Sequence, residues 1–198
     1  MFATYPKEVI LKDDRRVTIR PMTREDGPGL LKFFKALRRR DRLFMRDDVT
    51  NPDVIQKWVD SLDYDHIFPL LALDEKNRII ADASLHRNTH GWSRHVGQIR
   101  VAVHHDYQGA GMGYQMAREM FVIAQSMQID KVLAEMMDVQ EGAINVFAKL
   151  GFQKEHVFKN HVRDQNDKLH GLVVMSVDIN EIMTKWEEAV HELEDRGG

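Results

Sequence analysis

The sequence contains no cysteine. Disulfides, thiolate metal sites and a cysteine nucleophile are therefore excluded. The absence also suits a reducing compartment, so a cytoplasmic location is the expectation. No apolar run reaches the ~18 residues needed to cross a bilayer, and the opening residues 1–16 lack the apolar stretch of a secretory signal, so neither membrane nor export is expected. Charge of one sign is also lacking. Twenty-eight Lys and Arg face 31 Asp and Glu, a formal net charge of −3, which gives no general attraction to nucleic acid or to anionic lipid. A basic stripe interleaved with aromatics is missing too, which argues against a nucleic-acid-binding domain. Proline is scarce, five in 198 residues, and no repeat, low-complexity tract or long linker divides the chain. The expectation is one domain over 1–198, with a core over about 17–178.

What is present reads as a mixed α/β pattern. Residues 17–20 form a first strand closed by Pro21. Thr23 followed by Asp26 resembles a capping box, made irregular by Gly27, Pro28 and Gly29. Leu30, Leu31, Phe33, Phe34 and Leu37 then follow helical spacing. Asn51-Pro52 opens a second helix. Residues 67–73 and 79–86 read as a hairpin around an acidic turn, and 96–104 as a third strand in that group. A helix over about 116–127 follows, then a strand at 131–137. A short helix at 142–150 stops at Gly151, a natural C-cap. Two further strands lie at 152–158 and 171–177, and a helix is expected over 181–194. About seven strands in one mixed sheet, with helices on both faces, is the architecture implied.

The chemistry concentrates at Gln108-Gly109-Ala110-Gly111-Met112-Gly113, between a strand and a helix. A helix N-terminus offers unpaired N–H groups and partial positive charge, both suited to phosphate. Glycine lets the backbone approach an anion and adopt positive φ. The dinucleotide pattern G-x-G-x-x-G fails, because the third position counted from Gly109 is Tyr114. The P-loop ending G-K-[ST] is absent. Gln-x-x-Gly-x-Gly remains, satisfied by Gln108, Gly111 and Gly113. The bland alternative is a tight turn that binds nothing.

The segment V-A-V-H-H-D-Y-Q-G-A-G-M-G-Y, residues 101–114, resembles motif A of the GNAT N-acetyltransferases. A-I-N-V-F-A-K-L-G-F at 143–152 resembles their C-terminal motif, and I-R-P-M-T-R-E-D at 19–26 their common opening. The three occur in the family's order. Residues 19–73, with F-F-K-A-L and D-Y-D-H-I, resemble more loosely the GNAT domain of bacterial protein-lysine acetyltransferases. The resemblance implies a GNAT fold splayed between the strands near 96–104 and 131–137, with acetyl-CoA lying in the splay. Its pyrophosphate would sit on the amides of Gln108, Gly109, Ala110, Gly111, Met112, Gly113 and Tyr114. Its pantetheine would pair with the backbone of Val101, Ala102 and Val103 in strand fashion. The reaction implied is direct attack of an amine on the thioester, with no metal. The acceptor stays open between a small-molecule amine and a protein amine. Members of the family are often dimers.

Within this resemblance, the general base falls to Glu135, flanked by apolar residues whose burial would raise its pKa. A structural carboxylate paired with Arg or His is the alternative. Many relatives carry an acid where Gln98 stands, and Gln98 cannot take a proton. His86, on the adjacent strand, is a possible substitute. Phe147 stands where many relatives place a tyrosine that protonates the leaving thiolate. Gln140 stands in place of a frequent asparagine, with Asn145 a turn further on as a second cofactor contact. These departures leave open a non-catalytic acyl-CoA-binding module. Arg38, Arg39, Arg40 and Arg42 read as the solvated end of the first helix. His104 and His105, adjacent on a strand, are expected to face opposite sides.

Overall fold

The computed structural model describes residues 4–184. Its frame is one eight-stranded sheet in the order β1-β2-β3-β4-β5-β6-β8-β7. The strands are β1 (Lys7–Ile10), β2 (Arg16–Pro21), β3 (Ile67–Asp74), β4 (Ile79–Arg87), β5 (Val96–Val103), β6 (Lys131–Met137), β7 (Gln153–Arg163) and β8 (Leu169–Asp178). The expected seven are all present. The eighth, β1, is four residues long and mostly exposed, so it carries no alternating apolar signal. The β5–β6 pair is parallel, and every other neighbouring pair is antiparallel.

Helices cover both faces. On one side lie α1 (Gly27–Ala36) and α3 (Pro52–Asp60), on the other α4 (Met112–Ser126) and α5 (Glu141–Lys149). Strand alternation divides the core accordingly. Leu70 and Ala72 of β3 face the α4 side, whereas Leu71 and Leu73 face α1 and α3. Both faces of β3 are buried, which is why it reads as a continuous apolar run.

Local chemistry sets the helix ends. Thr23 and Asp26 form the capping box, and Asp26 also takes Arg20 in two hydrogen bonds of 2.7 and 2.6 Å. Asn51 Oδ1 accepts the Asp53 N–H at 2.9 Å, with Pro52 at the first helical position. Gly151, at φ 93°, ends α5. The arginine run is not the end of α1. That helix stops at Ala36, and α2 (Arg39–Arg42) is a separate single turn. The chain is helical again from residue 179. The rest of the helix expected over 181–194 lies outside the described residues.

Candidate active site

The glycine cluster is an open cradle. Gly109 and Gly111 have φ of 79° and 90°, a conformation that only glycine adopts cheaply. A Cβ on Gly109 would meet nothing within 4 Å. Helix α4 begins at Met112, and its first backbone bond is from the Gln115 N–H to the Gly111 carbonyl. Among the described residues, the N–H groups of Gly109, Ala110, Gly111, Met112, Gly113 and Tyr114 therefore donate to no protein acceptor. Six unpaired amides at a positive helix end are donors of the kind that suit an anion. The β1–β2 turn braces the loop from outside. Lys12 N–H donates to the Ala110 carbonyl at 3.2 Å, and the Arg15 guanidinium lies 3.9 Å from the Tyr107 ring centre. Gln108, though exposed, donates from Nε2 to the Val103 carbonyl at 3.2 Å, tying the loop to the end of β5.

The strand leading into this cradle leaves its neighbour. Strand β5 pairs with β6 only from Val96–Lys131 to Gln98–Leu133, although it stays paired with β4 up to Val103. Beyond Ile99 its β6 side pairs with no other strand among the described residues, and on that side the Val103 carbonyl takes the Gln108 side chain. His104 N–H bonds the Ile80 carbonyl at 2.8 Å. By alternation, the N–H groups of Ala102 and Arg100 also turn to β4, so those of Val101 and Val103 turn to the opening. The expected splay is thus present, with donors along one wall.

The sheet face on the α1 and α3 side carries a polar group of residues beside the opening. Register places Asp82 opposite Ala102, Ser84 opposite Arg100, and His86 opposite Gln98. Glu135 joins them from β6, since Val132, Ala134 and Met136 belong to the other face. His86 Nε2 and Ser84 Oγ are 2.9 Å apart. Burial, helped by Arg100 and Arg46, lowers the His86 pKa to about 4, so this ring is neutral at physiological pH. Burial also lowers the proton affinity of Arg100, with repulsion from Arg46 adding to it. Asp82 has no hydrogen-bond partner among the described residues, and burial raises its pKa to about 7.

Two expectations need correction. Glu135 is not enclosed by apolar groups. Its side chain is 25% exposed and forms an ion pair with Arg46, which reaches across from the loop between α2 and α3. His104 and His105 do not face apart. Strand β5 ends at Val103, and His104 caps the single turn His105–Tyr107, so the two rings stack with centres 4.1 Å apart. With Asp106 they bring three potential ligand atoms within 4.8 Å of one another.

The remaining expected residues lie on or beside α5 at different depths. Phe147 is buried, with its ring edge-on to Phe152 at 5.0 Å. Gln140 Oε1 accepts the Met137 N–H at 2.8 Å, which closes the end of β6. Asn145 is exposed on α5. The last two expected strands, 152–158 and 171–177, extend toward each other as Gln153–Arg163 and Leu169–Asp178. Their hairpin tip reaches α2, where Arg39 donates to Asn166 Oδ1 at 2.8 Å. Sequence reasoning missed Asp82, Arg100 and Arg46. The first two were visible only as charges inside apolar strand runs. Arg46 carried no signal at all.

This arrangement is a mixed α/β sheet opened beside a cradle of unpaired amides. The model of the acetyltransferase (GNAT) domain family matches residues 16–153. The chain belongs to the GNAT acetyltransferase family. Solved structures agree in fold. The GNAT domain of S. lividans PAT superposes with a TM-score of 0.75 at 18% identity, covering 89% of this chain and 98% of that one. The ribosomal-protein-S5-alanine acetyltransferase of Vibrio fischeri gives 0.73 at 18% identity, over 82% and 92%. The yncA protein of Salmonella typhimurium, solved with its cofactor acetyl-CoA, gives 0.68 at 16% identity, over 82% and 94%. Among curated protein sequences, none matches.

Proposed function

We propose that the protein transfers an acetyl group from acetyl-CoA to a primary amine by direct attack. The observation that carries this reading is the free edge of β5 running into the unpaired amides of residues 109–114. A pyrophosphate needs clustered N–H donors, and a pantetheine arm needs a free strand edge. Here the two are continuous. The cradle amides would hold the pyrophosphate, and the backbone of Val101, Ala102 and Val103 the pantetheine. Gln140 and Asn145 would meet the cofactor from the α5 side. Bound acetyl-CoA supplies the activated acyl carbon, and the chain's own residues manage protons and orientation.

An acceptor amine with a pKa of ~10.4 arrives as an ammonium ion and must lose a proton before it can attack. We assign that proton to Glu135, which faces the opening from β6. Arg46 holds the carboxylate oriented, and its own side chain is 52% exposed, so it is free to move aside. The N–H of Val103, turned into the opening, can donate to the developing oxyanion, which leaves that of Val101 for the pantetheine. As the C–N bond forms and the C–S bond breaks, the nitrogen loses its second proton to solvent. The thiolate takes one from water, because Phe147 has no hydroxyl to offer. A thiol pKa of ~8.5 makes that loss tolerable.

Calorimetry with acetyl-CoA tests the cofactor site, comparing the wild type with Gly113→Glu. A Cβ at Gly113 would make an ordinary 3.7 Å contact with Val103 Cγ2. A glutamate in the first helical turn is favourable to the helix. The fold should therefore survive while a carboxylate occupies the cradle. Binding lost in a variant of unchanged melting temperature supports the reading. Equal binding in both, or none by a folded wild type, rejects it.

A further inference from the structure

We propose that the acceptor amine carries a carboxylate close to its nitrogen, as a free amino acid does, and that Arg100 recognises that carboxylate. The inference rests on the acetyl-transfer reading above and names the substrate class of that site.

Arg100 lies two residues beyond the last β5–β6 pair, opposite Ser84, on the face shared with Gln98, His86 and Glu135. That places it at the mouth of the opening, beside the strand edge assigned to the pantetheine. Its Nε is buried and has no hydrogen-bond partner among the described residues. No ion pair to Arg100 is present there either. The charges around it, Arg46 against Asp47 and Glu135, act on it only over a distance. Arg46 and Arg100 are both cations, and Glu135 makes its direct ion pair with Arg46. Asp47 attracts Arg100 without touching it. Ser84 and Gln98 are uncharged, and His86 is held neutral by burial. Asp82 stands one pair further along β4 and makes no bond to Arg100. A half-buried guanidinium with no directly bonded counter-ion is costly unless something else pairs with it.

An anion from the acceptor resolves this. The planar fork of arginine matches a carboxylate in two parallel hydrogen bonds. Glu135 lies level with Arg100 across the opening, because Gln98 and Leu133 are in register two residues before each. A molecule whose carboxylate sits on Arg100 then directs an amine one carbon away toward Glu135 and the acyl carbon. An α-amino acid has that spacing. A lysine within a protein chain lacks a carboxylate at that distance from its amine.

The experiment compares steady-state acetylation of the common α-amino acids with that of their carboxamides, in the wild type, Arg100→Gln and Arg100→Lys. The expected result is a wild-type preference for at least one acid over its amide of ~10–100-fold in kcat/KM, the range lost with a charge-assisted hydrogen-bonded pair. Arg100→Gln should abolish that preference, Arg100→Lys should restore only part of it, and both should keep the wild-type acetyl-CoA affinity, with a melting temperature for Arg100→Gln no lower than that of the wild type. Acetylation of amides, simple amines or lysine peptides as fast as of the acids overturns this inference and leaves acetyl transfer standing. So does a preference that survives Arg100→Gln. Failure of every amine, free or peptide-borne, removes the acetyl-transfer reading and this inference together.

Discussion

Replacing Asp82 by asparagine should make the protein more stable at pH 8 and leave it unchanged near pH 3. Asp82 sits on the sheet between Leu71 of β3 and Ala102 of β5. No protein group bonds its carboxylate among the described residues, and burial alone raises its pKa from 3.8 to about 7. The folded state therefore binds the Asp82 proton more tightly than the unfolded chain. Between those two values stability falls as pH rises, and above the folded value the penalty is complete. A shift of about three units at 1.36 kcal/mol per unit sets a ceiling of ~4 kcal/mol. Because the side chain keeps some exposure, ~2–4 kcal/mol is the expected gain for Asp82→Asn at pH 8. At pH 5 the same linkage leaves a gain of ~1–2 kcal/mol, and below the unfolded value the difference disappears. Denaturant unfolding of both proteins at pH 4, 5, 6 and 8 measures this directly, and titrations common to both cancel in the difference. A gain that does not change with pH would refute the assignment of burial as the cause. A loss of stability at pH 8 would show that the ionised carboxylate has a partner.

Two further outcomes follow from the site. Glu135→Gln should lower kcat by ~10²–10⁴, the range of a lost general base, with acetyl-CoA affinity unchanged; a kcat within about threefold of wild type assigns the proton transfer elsewhere. Phe147→Tyr should not restore an acid. The ring lies in the α4–α5 core, so its new hydroxyl should cost ~1–3 kcal/mol for want of a partner. A tyrosine variant that is faster and equally stable would show instead that the ring tip reaches the departing thiolate.

Much of the frame was legible because it depends on neighbours in sequence. The Asn51-Pro52 start, the Thr23–Asp26 box and the Gly151 stop are each decided within four residues, and all three stand in the structure. The glycines of the cradle were legible for the same reason, since a left-handed turn ahead of a helix demands them wherever it occurs. Strand β1 was not legible, because four exposed residues on an edge carry no periodic pattern. Nor was the stacking of His104 on His105. It depends on β5 ending at Val103, one residue earlier than periodicity suggested.

By itself, the sequence determined the order of strands and helices, the phosphate-type turn and the family motifs, all properties of short stretches of chain. Only the tertiary structure decided the charge state of the site. Arg46 and Glu135 are 89 residues apart in sequence and meet across the opening. Asp82 is isolated because of what β3 and β5 place beside it, and Arg100 has no directly bonded counter-ion while Glu135 pairs with Arg46. A pKa or an unpaired charge belongs to the space around a group. That space is built here from strands distant along the chain.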